Sequence, residues 1–62
     1  MTYIKIIKGD TTEIIERDVN SFTAKMYKQC YEEFGKFTVD DIKLTYNKMK
    51  AVYIAMIIYH ID

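Results

Sequence analysis

The sequence predicts a single α+β domain, residues 1–62, of β-α-β-β order, with a three-stranded antiparallel sheet in spatial order one-three-two and one helix on one face. Three observations predict it. Residues 51–59 carry no charge, Gly or Pro, and at strand period they place apolar residues on both faces, which suits the middle strand of a sheet. Ile15, Val19, Phe22, Met26 and Cys30 recur at the spacing of one helical stripe. Strand-like segments flank that stripe on both sides, punctuated by Gly9 and Gly35.

In order, residues 3–8 are rich in β-branched and aromatic side chains and stop at Gly9-Asp10, a turn signal. The alternation assigns Ile4 and Ile6 to the better buried face, and Tyr3, Lys5 and Ile7 to the other. Tyr3 beside Lys5 reads either as a binding surface or as a snorkelling lysine next to an edge aromatic. Asp10 stands three residues before Glu13, the spacing of a capping box, with Thr11 and Thr12 as alternative caps, so the helix begins here. Phe34 drifts off the edge of the apolar stripe. Cys30, within the stripe, reads as a small buried hydrophobe rather than a reactive thiol.

Gly35 suits the left-handed conformation that ends many helices, with Phe37 placed to fold back on the last turn. Residues 38–46 return to strand period, with Ile42, Leu44 and Tyr46 on one face and Asp41, Lys43 and Thr45 on the other. Asn47-Lys48 form the turn, Asn being tolerant of positive φ. The closing strand then presents Ala51, Tyr53, Ala55, Ile57 and Tyr59 on one face and Val52, Ile54, Met56 and Ile58 on the other.

One helix covers one of these faces, and the other is left apolar and open. Contiguous exposed apolar area beyond a few hundred Å² marks an association surface. A self-complementary sheet face generates a two-fold dimer that can pair again into a tetramer, so a homo-oligomer built through the sheet face is expected. The Ala and Tyr set suits close sheet-to-sheet approach, and on that reading a charge at Ala55 or Ile57 shifts the assembly toward monomer. Size points the same way, since a chain of 62 residues buries only about 60% of its unfolded surface. Cys30 is the only cysteine, which excludes an internal disulfide, and His60 is the only histidine, which disfavours a zinc site.

Nine basic residues balance nine acidic ones, so no net field favours DNA, RNA or an anionic membrane as partner. The N-terminal residues lack the apolar core of a signal peptide, and the C-terminal apolar run is about half the length a spanning helix needs. A cytoplasmic protein is expected. No nucleophile, base and orienting group stand at a catalytic spacing, so neither an enzyme nor a cofactor is expected. His60 reads as a frayed or interface residue, and the pairs Asp40-Asp41 and Glu32-Glu33 as solvated. Gly9 and Gly35 stand alone, without a phosphate-binding loop.

Ligand binding remains. Lys8, Thr11 and Thr12 lead into a helix start that can receive a phosphate, although Asp10 and Glu13 oppose an anion there. The six tyrosines offer planar faces on which bases stack, at roughly 1 to 3 kcal/mol per base. Arg17, the only arginine, either pairs bidentately with a phosphate or guanine edge or forms an exposed pair with Glu13.

Val19-Asn20-Ser21-Phe22, Asp41-Ile42-Lys43 and the terminal residues 53–59 resemble, over most of the chain, a family of similarly short proteins found as a small sporulation protein of spore-forming bacteria and in their phages. Among the small phage proteins that this chain resembles are the anti-CBASS sponges of the fourth described type, tetramers that bind cyclic dinucleotide immune signals such as 3′3′-cGAMP and sequester them uncleaved. The resemblance implies a stoichiometric inhibitor of host nucleotide signalling, acting in the cytosol of the infected cell. The candidate ligand residues are Tyr3, Lys5, Lys8, Thr11, Thr12, Arg17, Tyr46 and Lys48, on the expectation that a second subunit brings the first strand, helix start and hairpin together. The alternative expectation is a protein-interaction module, host-directed or sporulation-associated, that docks through its apolar sheet face and binds no nucleotide.

Overall fold

The computed structural model describes residues 1–62 as β1 (Thr2–Gly9), α1 (Thr12–Glu32), β2 (Phe37–Asn47) and β3 (Val52–Ile61). β3 lies between β1 and β2 and is antiparallel to both, the order expected for the most apolar strand. No helix is long and apolar enough to cross a membrane.

The core forms where α1 crosses β1 and β3. Ile7, Ile15, Ala55 and Ile57 are buried together, with Val19, Phe22, Val39, Tyr53 and Tyr59 packed around them. Ala55 and Ile57 are 1% and 0% exposed, so the Ala and Tyr set is the face under the helix. Val52, Ile54, Met56 and Ile58 form the open face. A charge at Ala55 or Ile57 therefore acts on the fold, not on an exposed association surface.

β1 takes its parity from the same packing. Ile7 pairs with Ala55 and enters the core, whereas Ile4 is 60% and Ile6 44% exposed. This reverses the assignment read from alternation. The consecutive Ile6-Ile7 pair satisfies either parity by itself, and contact with Ile15 selects Ile7. On the helix side Tyr3 stacks on Tyr59, with ring centroids 5.4 Å apart, and the Lys5 Nζ lies 5.6 Å from the centre of the Phe22 ring.

Thr11, not Asp10, caps α1. Its backbone is extended and its Oγ1 accepts a hydrogen bond from the Ile14 N–H at 3.2 Å. Ile14 thus occupies the position at which a capping box needs Glu or Gln, so the expected Asp10–Glu13 box does not form. Glu13 instead places a carboxylate in the first turn, where it complements the helix dipole. Gly9 allows the strand to pass close to this turn, because a β-carbon there would stand 2.8 Å from Ile14 Cγ2.

At the other end, the Gly35 N–H donates to the Cys30 carbonyl at 2.7 Å and the Phe34 N–H to the Tyr31 carbonyl at 3.2 Å. These two bonds form a Schellman motif, but the left-handed residue is Phe34, with φ 59°, rather than Gly35. The turn between β2 and β3 also departs from expectation. Asn47 still pairs with Val52, so the loop is 48–51, and Asn47 Oδ1 accepts from the Met49 and Lys50 N–H groups at 3.0 and 3.2 Å. Ala51, not Asn47, takes the positive φ, 53°.

β2 bulges between Val39 and Asp41, inserting Asp40 as an extra residue. Beyond the bulge the face assignment holds: Ile42, Leu44 and Tyr46 lie opposite Ile57, Ala55 and Tyr53 on the helix side. The far end of α1 rests on β2 through Phe37, whose ring meets Phe22 and Tyr27 edge-on at 6.2 and 4.9 Å.

Candidate functional site

α1 covers β1 and β3 but reaches β2 only near Phe37 and Val39, which leaves a shelf on the helix side of β2. Ile42, Leu44 and Tyr46 line it, 47%, 54% and 49% exposed. At its hairpin end Gly9, Tyr53 and Tyr46 form one row across the sheet, and the Tyr46 and Tyr53 rings lie 4.7 Å apart at 52°. Tyr46 thus offers an accessible aromatic face braced by a second ring. Lys48, in the loop 48–51, and Thr11 and Thr12, at the start of α1, belong to the same end of the molecule.

The eight sequence-derived residues do not converge on one site within a single chain. Tyr46, Lys48, Thr11, Thr12 and Lys8 share the hairpin end, although Lys8 has the parity of the open face, opposite to Tyr46. Tyr3 lies at the other end of β1, stacked on Tyr59. Arg17 is on the solvent side of α1, and its Nε donates to Asp18 Oδ1 at 3.1 Å, in place of the expected pair with Glu13. Lys5 occupies a cleft of about 380 Å³ between β1 and α1, which Ile6, Ile7, Lys8, Asp18, Ser21 and Phe22 also line. Asp18, Ser21 and Phe22 are not among the candidate ligand residues read from the sequence. Their juxtaposition with β1 requires knowing that α1 runs back along the strand it follows.

A further polar pair went unread in the sequence. His60 Nδ1 lies 3.0 and 2.9 Å from the two carboxylate oxygens of Asp40, and its Nε2 lies 3.7 Å from Asp62. The bulge brings Asp40 to His60, which the doubled Asp40-Asp41 in an otherwise alternating strand could have signalled. The strand neighbours of His60 are Thr2 and Thr38, and no hydroxyl donates to the ring, so the pair fastens the end of the sheet without forming a nucleophile, base and orienter relay. No cluster of acidic, His or Cys side chains is arranged to hold a metal ion.

Comparison with protein families, characterised proteins and solved structures finds no match to this chain.

Proposed function

We propose that the protein is a non-catalytic sponge that binds a cyclic dinucleotide such as 3′3′-cGAMP and holds it uncleaved, and that it serves a phage by blocking nucleotide-based immune signalling in the host cytoplasm. The half-exposed Tyr46 ring, braced by Tyr53 on the uncovered shelf, carries this reading. A base stacks on such a ring whatever its hydrogen-bonding edge, the apolar shelf formed by Ile42 and Leu44 receives the sugar, and Lys48 with the helix-start amides meets phosphate. The resemblance described above supplies the ligand class. In the proposed assembly, subunits associate through the open face of Ile4, Ile6, Ile54, Met56 and Ile58 into a dimer or tetramer.

The test is incubation of the purified protein with a panel of cyclic di- and trinucleotides and cyclic ADP-ribose isomers, followed by denaturation and chromatography. Recovery of one intact nucleotide supports sequestration, an altered nucleotide identifies an enzyme, and recovery of none overturns the proposal. Tyr46→Ala should weaken retention about 5- to 150-fold if it removes one stacking contact of roughly 1 to 3 kcal/mol. A second reading, a protein-interaction module without nucleotide, is favoured by the exposure of Ile4 and Ile6, and it predicts that the Tyr46 variant behaves like the parent.

A further inference from the structure

The two edges of the sheet are unlike. β2 carries a bulge with Asp40, Asp41 and Lys43 around it, devices that discourage another strand from pairing. β1 runs eight residues without bulge or proline. Its outer edge forms one wall of the cleft in which Asp18, Ser21 and Phe22 of α1 overhang the backbone of residues 5–8. A free strand edge beneath a helical overhang is a seat for an added strand, in which main-chain hydrogen bonds hold the guest and the overhanging side chains select it.

We propose that β1 of a second copy takes this seat, antiparallel about a two-fold axis, making one continuous sheet with both helices on the same side. The surface area is consistent with a missing neighbour: a 7.4 kDa monomer is expected to expose about 4,200 Å² and this chain exposes 4791 Å². The excess, about 600 Å², is comparable with the roughly 800 Å² per partner of a stable interface. The radius of gyration is likewise 12.7 Å, against about 10.6 Å for a typical domain of this length.

Charge then fixes the register. Both copies keep their helix side on one side of the sheet, so residues that face each other share parity. Centring the axis on Lys5 sets two lysines directly opposite, which is destabilising. Centring it on Ile6 instead sets Lys5 against Ile7 of the other copy and Ile4 against Lys8. α1 packs Ile15 on Ile7 and Phe22 at Lys5, so Asp18 stands at the level between them. The incoming Lys5, arriving on the helix side opposite Ile7, therefore reaches Asp18, whose Oδ1 also accepts from Arg17 Nε of its own chain at 3.1 Å, and the symmetric contact repeats. A lysine that would discourage edge pairing in another register is answered by a carboxylate in this one. The pairing goes beyond the nucleotide reading, because the Tyr46 shelf belongs to the opposite edge and the dimer stands whether or not a nucleotide binds.

Sedimentation velocity across a concentration series tests this on the parent, Lys5→Glu, Asp18→Lys and the double variant. Each single reversal should raise the dimer Kd about tenfold, as two symmetric contacts turn from attraction to repulsion, and the double variant should restore it. Circular dichroism melts confirm that each variant is folded. On the parent protein, carbodiimide coupling of mixed isotope-labelled and unlabelled chains should join Lys5 of one to Asp18 of the other. A monomer at every concentration, a dimer indifferent to both reversals, or a dimer without the mixed crosslink would overturn the proposal.

Discussion

Phe34 holds a left-handed backbone at φ 59° while its side chain is fully exposed. In that conformation the β-carbon of an L-residue crowds the following carbonyl, at about 1–2 kcal/mol. Glycine removes the crowding, but it restores freedom to the unfolded chain, which costs about 0.5–1 kcal/mol. The exposed ring contributes nothing to offset the change in this chain. Phe34→Gly should therefore stabilise the fold by about 0.5–1 kcal/mol, which raises Tm by roughly 2–8 °C for a domain this small. Phe34→Ala keeps the crowded β-carbon and should shift stability by less than about 0.5 kcal/mol. Thermal melts of the parent and both variants, at one protein concentration, make the comparison. A Tm for Phe34→Gly at or below that of the parent would refute the reasoning and mean that the ring is covered by another molecule.

Other substitutions probe the helix start and the core. Gly9→Ala places a methyl 2.8 Å from Ile14 Cγ2 and should cost about 1–3 kcal/mol in urea unfolding. Thr11→Ala should cost about 1 kcal/mol by the same assay, whereas Asp10→Ala, which leaves the cap intact, should be nearly silent. Ile57→Ala, at a wholly buried position, should cost about 2–5 kcal/mol, most of the roughly 3–9 kcal/mol expected for a chain this short, so loss of the cooperative transition is the expected result.

Composition and period made the element order, strand order and helical stripe legible, because each follows from local alternation plus the need to bury the uncharged run of β3. Parity was legible only where polar residues alternate with apolar ones. In β2, Lys43 and Thr45 separate Ile42, Leu44 and Tyr46 cleanly. In β1, Ile6 and Ile7 are adjacent, and in β3 both faces are apolar, so only contact with Ile15 and Phe22 distinguishes them. The expected left-handed positions fell on Gly35 and Asn47, the residue types that tolerate positive φ. The chain places them at Phe34 and Ala51 because hydrogen bonds to Cys30 and Asn47 fix the turn geometry one position before Gly35 and at the end of the loop. The candidate site was legible as residue types but not as a place. Tyr46 and Lys48 are close in sequence, while their relation to Thr11 depends on Gly9, Tyr53 and Tyr46 sharing a row.

The placement of β3 between β1 and β2 also governs how the molecule is made. β1 and β2 do not pair with each other, so every ladder of the sheet waits for the strand that comes last in sequence. Before β3 is available, only α1 has hydrogen bonds it can complete by itself. Sheet formation is then late: β3 closes a hairpin with β2 across the loop 48–51 and must also join β1 from the far end of the chain, and a chain interrupted anywhere before Val52 has no partial sheet to fall back on.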